Sequence, residues 1–571
     1  MISYFLILPV IVIFVYSFIK KKILLKTIDV LNYTFIVLFT LTSVGEMCLY
    51  REWKSKLSVQ AMQHFLHPSE VFRTTSLGLT VLFFALSTVL IVVFIHTYRK
   101  RISMTKNVVQ LSEVNSGKYY WKSILFFVVG GVSCFVGLRG GWQDIPVQDS
   151  DAYFCTQPIV NDASVNPLWN LIYNFADYED HFKENPYTDF EIAKANEIVA
   201  SLFETKKDTT ISILTAKRPN VVFIILEGWS SYEIKSFGGD NYAPFMDSLS
   251  QQGIRFTKCY PAAYVSDQGI PAILSGYPSV SRISVINQST KSGKLPCINR
   301  DLKSLGYQSG FVFGGDLNYG NIKSYIFNQQ FDVVKEEKDF DGSLPRGNLG
   351  IQDADMENEY LKLLNVAKPP FIYAWFTLST HMPYDYIGEK KKITERENEY
   401  VNSVQYADKA IQHFFTNAKK QSWFKNTLFV IVSDHSHGCQ KDINEYDAEY
   451  HHIPLVFFGD VIADGFRGVA IENVVSQLDI SKTLLKQINP DSSASAYVWS
   501  KNMFNPTAKN FAFYPTFAGG GFVTNKGTIG YQHGVKELII NSFEPNDKMA
   551  DTLTMYSKAF QEAVYEDYRL K

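Results

Sequence analysis

Cysteine is scarce in this chain, and the few present form no recognisable motif. Six cysteines occur among 571 residues, none in a CxxC pair and none at zinc-finger spacing. Charge is limited too. Asp, Glu, Lys and Arg make up 20% of the chain and leave a net charge of −2, so no basic field is available to hold nucleic acid. No internal repeat announces a solenoid or propeller. A G-x-S-x-G elbow is absent, which disfavours an ordinary serine esterase.

What the chain does have is long apolar runs, nearly all before residue 142. Aromatic residues reach 15%, high for a soluble enzyme and in keeping with a membrane-attached one. The run Ile2 to Ile19 is uncharged and about eighteen residues long, enough to cross a bilayer. No small-residue cleavage site follows it, so it reads as an anchor rather than a removable signal. Further runs cover roughly Val30 to Val44, Leu77 to Ile95 and Ile124 to Leu138, giving three or four spanning helices within residues 1–141. Lys20, Lys21, Lys22 and Lys26 separate the first two runs. Arg99, Lys100, Arg101, Lys106, Lys118 and Lys122 separate the last two. The positive-inside rule then places everything after Leu138 outside the cytoplasm. Met1 falls outside as well, so either one run does not span or an earlier segment precedes it. Cys155, Cys259, Cys297 and Cys439 would face an oxidising compartment. A Cys259–Cys297 bridge is one option that spacing leaves open.

Residues 142–215 read as a helical connector. Beyond them the pattern alternates between buried strand and helix, the signature of an α/β sandwich with a mostly parallel sheet. That catalytic domain is expected over 216–500. Strand-like NFAFYPTF and KELIINSF suggest a small antiparallel subdomain over 501–571. In PNVVFIILEGWSS an unbroken apolar run, Val221 to Ile225, leads to Glu227 and Gly228. In TLFVIVSDHSHG another leads to Asp434, His435 and His437. Ligands in open α/β sheets sit beyond the carboxyl ends of strands, although an acid at a strand end often merely caps a helix. Two such endings, one with adjacent Asp and His, give the imidazole–carboxylate mixture that Zn²⁺ or Mn²⁺ prefers. Ser266 stands in YVSDQGIPAILSGYP at the start of a helix. A serine there is usually an N-cap, but beside a metal its hydroxyl becomes a nucleophile near neutral pH. Glu227, Asp434 and His435 around an ion, with Ser266 as attacking oxygen, form a coherent site.

FIILEGWSS, SDQGIPAILSGYP, LSTHMPYD and SDHSHG together resemble the alkaline phosphatase and sulfatase superfamily, and more closely its membrane branch, the lipoteichoic acid synthase family of phosphoglycerol transferases. The likeness runs from YREWKSKLSVQAMQHFLHPSE through RGGWQDIP and NPLWNLIYNF to FAFYPTF. It implies Glu227, Ser266, Asp434 and His435 as metal ligands, with Ser266 also the nucleophile. It implies His381 as proton donor to the leaving alkoxide and Asp316 and His437 as substrate residues. The implied donor is a membrane phospholipid, and the acceptor a glycan, lipid or polymer. Water as acceptor would make the enzyme a phosphodiesterase; a phosphoric or sulfuric ester hydrolase is thus the alternative, and a catalytically silent envelope-binding protein a third. Departures are specific. The family's Thr-Asp-Arg-Gly-like turn is here Ser-Asp-Gln-Gly. Its His before Gly-Asp and its Trp-Asn-Arg are replaced within FGGDLNYGN, so a polyglycerolphosphate substrate does not carry over. Its five membrane helices become at most four. The C/S-x-P-x-R maturation signal of sulfatases proper is missing at Ser266.

Overall fold

The computed structural model describes residues 2–19, 22–53, 56, 77–111, 120–143, 145–177, 184–281, 283–384, 386, 398–437, 443–545 and 547–571. Lys20, Lys21, Lys118, Cys439 and most of the YREWKSKLSVQAMQHFLHPSE stretch lie outside them. The chain forms two compact units, Met1–Glu184 and Asn185–Lys571. The connector expected over 142–215 is thus divided between them.

The first unit is built from α1 (Ile2–Ile19), α2 (Lys22–Trp53), α3 (Leu77–Leu111) and α4 (Tyr120–Arg139). Among the described residues, three segments are long and apolar enough to span a membrane: Lys26–Tyr50, Gly78–Arg101 and Trp121–Arg139; Tyr4–Ile19 is apolar but shorter. Large apolar side chains such as Val81, Phe84, Val92 and Phe135 point outward, as they do where lipid rather than water is the solvent. Polar groups in α2 are paired. Asn32 donates to the Tyr98 hydroxyl at 2.8 Å, and that hydroxyl donates to Asp29 at 3.0 Å.

In the second unit, α5 (Ile192–Phe203) precedes an eight-stranded sheet. Its strands are β1 (Asn220–Leu226), β2 (Ile254–Phe256), β3 (Gln308–Phe313), β4 (Val333–Lys335), β5 (Phe371–Phe376), β6 (Thr427–Ser433), β7 (Leu455–Phe458) and β8 (Ala470–Ile471), in the spatial order β8-β2-β7-β6-β1-β5-β3-β4. Every neighbouring pair is parallel except the two made by β7. Successive side chains on a strand face opposite ways, and all seven residues of β1 are buried, so the sheet is covered on both faces. Burial of each Val, Ile or Phe contributes about 1.5–3 kcal/mol, which is why these runs carry no polar break. Val222, Ile224 and Leu226 join one core with Tyr360 of α7 (Asp353–Val366) and Val404, Ile411 and Phe415 of α8 (Asn398–Ala418). Between β2 and β3 lies α6 (Ser266–Ser275), which packs on α9 (Asp479–Ile488).

The C-terminal part is the expected antiparallel sheet, β9 (Phe511–Thr516), β10 (Gly519–Thr524), β11 (Gly527–Gln532) and β12 (Glu537–Asn541). It is followed by α10 (Lys548–Leu570), which packs against α5 and the sheet. Cys259 and Cys297 are both buried and both free. The bridge left open by their spacing is not made; the Cys297 sulfur instead lies 3.8 Å from the Tyr325 hydroxyl.

Candidate active site

β1 and β6 are adjacent and parallel, with Leu226 opposite Ser433. The next residue on each strand therefore emerges at the same edge, and these are Glu227 and Asp434. Gly228 turns the chain with φ of 60°, a conformation that favours glycine. Its N–H donates to Asp434 Oδ1 at 2.8 Å, as does the N–H of His435. Ser433 locks the junction, its hydroxyl accepting from Trp229 N–H at 2.8 Å and donating to the carbonyl of Leu226 at 3.0 Å.

Ser266 is the first residue of α6. Its hydroxyl donates to Glu227 Oε2 at 3.0 Å and lies 3.3 Å from His435 Nε2. Pro271 within α6 has no N–H for the carbonyl of Asp267, and the Ser284 hydroxyl occupies that carbonyl at 2.7 Å. Gln268, where the family has arginine, is buried and spent on the backbone. Its amide donates to the carbonyls of Ser281 and Ile283 and accepts from Tyr264 N–H.

A third wall comes from the loop after β5. Thr377 accepts the Glu227 N–H at 2.9 Å, and Thr380 donates to the Glu227 carbonyl at 2.5 Å. Asp353, at the start of α7, accepts from Leu378 N–H and Ser379 N–H, each at 2.9 Å. This scaffold carries His381, whose Nδ1 donates to the carbonyl of Met382 at 2.6 Å. The opposite ring nitrogen, Nε2, is the one left to move a proton. The His381 ring stands edge-on to Tyr319, 5.9 Å between centroids.

Glu227, Asp434 and His435 place one ligand atom each within 4.8 Å of one another. Burial pushes the Asp434 carboxyl up to about 7, and the Glu227 charge adds to this. Burial likewise opposes charge on Glu227, yet the hydrogen bond and charge of His435 outweigh it and hold that carboxyl below its usual range. At His435 burial disfavours the cation, but Asp434 and Glu227 prevail and push the imidazole up to about 10. The centre of the group is thus a place where positive charge is stabilised. Asp434 Oδ2 is buried and accepts no hydrogen bond among the described residues. A carboxylate oxygen without a donor, beside a second carboxylate, an imidazole and a hydroxyl, fits a divalent cation that displaces the proton.

The family model for sulfatases matches residues 219–489. Among curated relatives, a lipoteichoic acid synthase from Staphylococcus aureus is 25% identical over 370 residues, 59% of this chain and 56% of that protein. The lipoteichoic acid synthase-like YvgJ of Bacillus subtilis is 26% identical over 247 residues, 41% of this chain and 39% of the relative. The chain carries a sulfatase-like region and is similar to lipoteichoic acid synthases. It spans about half the length of the curated relatives it matches. Two solved structures share the fold. One is an alkaline phosphatase superfamily protein from Vibrio parahaemolyticus, with TM-score 0.57 and 24% identity over 67% of this chain and 98% of that one. The other is the lipoteichoic acid synthase LtaP from Listeria monocytogenes, with TM-score 0.54 and 15% identity over 67% and 99%.

Set beside the synthase family pattern, the two residues expected at the substrate have distinct surroundings. Asp316 Oδ1 accepts from Asn318 N–H at 2.9 Å and so closes the turn that presents Tyr319. His437 is held by two tyrosines. Its Nε2 lies 2.9 Å from the Tyr384 hydroxyl, and its ring stacks on Tyr400 at 3.7 Å and 9°. Tyr400 also donates to the carbonyl of Gly228 at 2.8 Å, joining the ends of β1 and β6 through α8. Asp353, Thr377, Tyr384 and Tyr400 were not singled out by sequence. Thr380 stands beside His381 in LSTHMPYD, but nothing in one sequence marks a threonine whose task is to hold a backbone carbonyl.

Proposed function

We propose that this protein is a membrane-anchored, metal-dependent transferase with its catalytic unit outside the cytoplasm. It moves a phospho-headgroup, phosphoglycerol- or phosphoethanolamine-like, from a lipid to an acceptor hydroxyl through a phosphorylated Ser266. One observation carries the reading: the Ser266 hydroxyl lies within hydrogen-bonding reach of both Glu227 and His435, beside the Asp434 oxygen that accepts no hydrogen bond among the described residues. The spanning helices and the synthase relatives support a lipid donor and an envelope acceptor. A Mn²⁺ or Zn²⁺ ion held by Glu227, Ser266, Asp434 and His435 would supply Lewis-acid activation of the serine oxygen and neutralise phosphate charge.

The chain's own residues do the rest. Glu227 orients Ser266 through their hydrogen bond. Ser266 gives up its proton to solvent, and Oγ forms a bond to the phosphorus of the donor as the bond to the diacylglycerol oxygen breaks. His381 Nε2 delivers a proton to that leaving oxygen. In the second displacement the acceptor hydroxyl passes its proton back to His381 and bonds to phosphorus. The bond to Oγ then breaks, and Ser266 recovers a proton and its contact with Glu227. Each half is an in-line exchange at one phosphorus, and positioning supplies much of the acceleration.

The test is an intact-mass spectrum of the detergent-solubilised chain after incubation with Mn²⁺ and mixed bacterial phospholipids. The expected result is an adduct that maps to Ser266, is absent from Ser266→Ala, and whose mass names the headgroup. Turnover retained by Ser266→Ala would overturn the assignment. Released headgroup with no capture by any added alcohol would instead make the enzyme a hydrolase.

A further inference from the structure

Beside the His435 ring, the catalytic unit has a recess of about 180 Å³. Its other walls include Tyr264, Ser436, His437, Tyr450 and His451. Tyr264 lies two residues before the nucleophile, and His435 lies 3.3 Å from the Ser266 hydroxyl, so the recess adjoins the reacting atoms. Among the described residues no Lys, Arg, Asp or Glu lines it. It is walled by phenols, imidazoles and a hydroxyl.

That lining discriminates between ligand classes. A second phosphate or a carboxylate entering here would lose its water and meet no Lys or Arg, while the His435 imidazole is already paired with Glu227 and Asp434, each 3.6 Å from its Nε2, so the exchange is costly. His451 provides none. Its Nε2 is occupied by the carbonyl of Glu445 at 2.7 Å, its ring stacks on Tyr514 at 4.3 Å, and burial pushes its pKa down to about 4. A neutral polyhydroxyl group has the opposite fit. Its C–H faces lie well on tyrosine rings, and its hydroxyls meet imidazole and phenol groups able to donate or accept. Size sets the scale. At roughly 30 Å³ per water molecule the recess has room for about six waters, the scale of one small polyol or one sugar ring.

We infer that this recess is the acceptor subsite: it seats one uncharged polyol or sugar unit and brings its hydroxyl to the phosphorylated serine. The inference deepens the proposed transfer reaction and rests on it for the word acceptor. It makes the walls of the recess, Tyr450 and Tyr264 above all, determinants of whether an alcohol or water takes the headgroup.

Two measurements on the full chain in detergent test it. Saturation-transfer NMR with glycerol and methyl α-D-glucoside is expected to show contact in the wild type. It should fall at least about five-fold in Tyr450→Ala and Tyr264→Ala, and return in Tyr450→Phe, which keeps the ring. In turnover at fixed glycerol, the ratio of glycerol-captured to water-captured headgroup is expected to fall by about the same factor in both alanine variants. Unchanged NMR contact and an unchanged ratio in both variants would overturn the subsite. So would slower labelling of Ser266 with the ratio unaltered, since the recess would then serve the donor headgroup. If one alanine variant fails to fold by circular dichroism, the other decides. Loss of all Ser266 labelling in the wild type sinks the transfer reaction, while the NMR contact, which needs no turnover, still decides whether the recess holds a polyol.

Discussion

A β-carbon added to Gly269 would lie 2.2 Å from the carbonyl oxygen of Asp434. The helix that begins at Ser266 and the strand end that carries Asp434 therefore touch backbone to backbone, three residues after Ser266. Nothing flexible can give way there. Gly269→Ala must push α6 away from β6 and draw Ser266 off Glu227. The expected outcome is a fall in turnover of about 100-fold, because misplacement by 1 Å is enough for that. The accompanying loss of stability is about 1–3 kcal/mol from overpacking. Steady-state kinetics together with a urea melt separate the two effects.

Asp434→Asn keeps the shape of the side chain and removes its charge. Calorimetric titration with Mn²⁺ is expected to show affinity lowered at least about 100-fold, since a ligand rather than its supporting shell has been altered. Unfolding in excess chelator should change little, because the charge removed is one that burial already opposes. Ser266→Ala should bind Mn²⁺ far better than Asp434→Asn, for it leaves both carboxylates and the imidazole in place. Mn²⁺ bound as tightly by Asp434→Asn as by the wild type would show that the ion does not sit here.

Asp353 touches neither Ser266 nor the candidate ligands, yet it gathers two N–H groups of the loop that positions His381 and braces Glu227. Asp353→Asn keeps one acceptor and turns the other position into a donor facing an N–H. The expected cost is about 1–3 kcal/mol of stability and about ten-fold in kcat with KM little changed. A KM effect alone would place Asp353 in substrate binding instead.

The sequence was most legible where burial dictated it. β1 and β6 contain uninterrupted apolar runs because both faces of the central strands are covered, and so Glu227 and Asp434 stand out as the first charged residues at their carboxyl ends. Their register, Leu226 opposite Ser433, could not be read, because a pairing between strands two hundred residues apart leaves no local trace. Ser266 was visible as a helix start. The Gly269 that makes its position exact is ordinary in sequence, and only the Asp434 carbonyl above it explains it. Gln268 shows the reverse. A departure from the family motif drew attention to substrate contacts, but the side chain faces backbone carbonyls. Asp353 and Tyr400 escaped because they act through hydrogen bonds to main-chain atoms of distant loops, which have no sequence signature.

His451 and His452 give the catalytic unit an acid limit. His451 is buried and His452 partly so, and burial pushes each imidazole down to about 4. His452 has the Phe237 and Tyr260 rings beside it, with Glu449 favouring its charge and Lys258 opposing it. An unfolded histidine titrates near 6.5, so between about 6.5 and 4 the unfolded chain binds protons that the folded chain refuses. The contribution of these two histidines to stability is then level above about pH 6.5 and falls as pH drops below it. Each histidine contributes about 1.4 kcal/mol per pH unit in that window, or about 2 kcal/mol by pH 5. Urea melts of the detergent-solubilised protein at pH 7.5, 6 and 5 measure the slope. His452→Gln should change that slope by about 1.4 kcal/mol per pH unit between pH 6 and 5, whereas a slope unaltered in that variant would place the acid sensitivity on other groups.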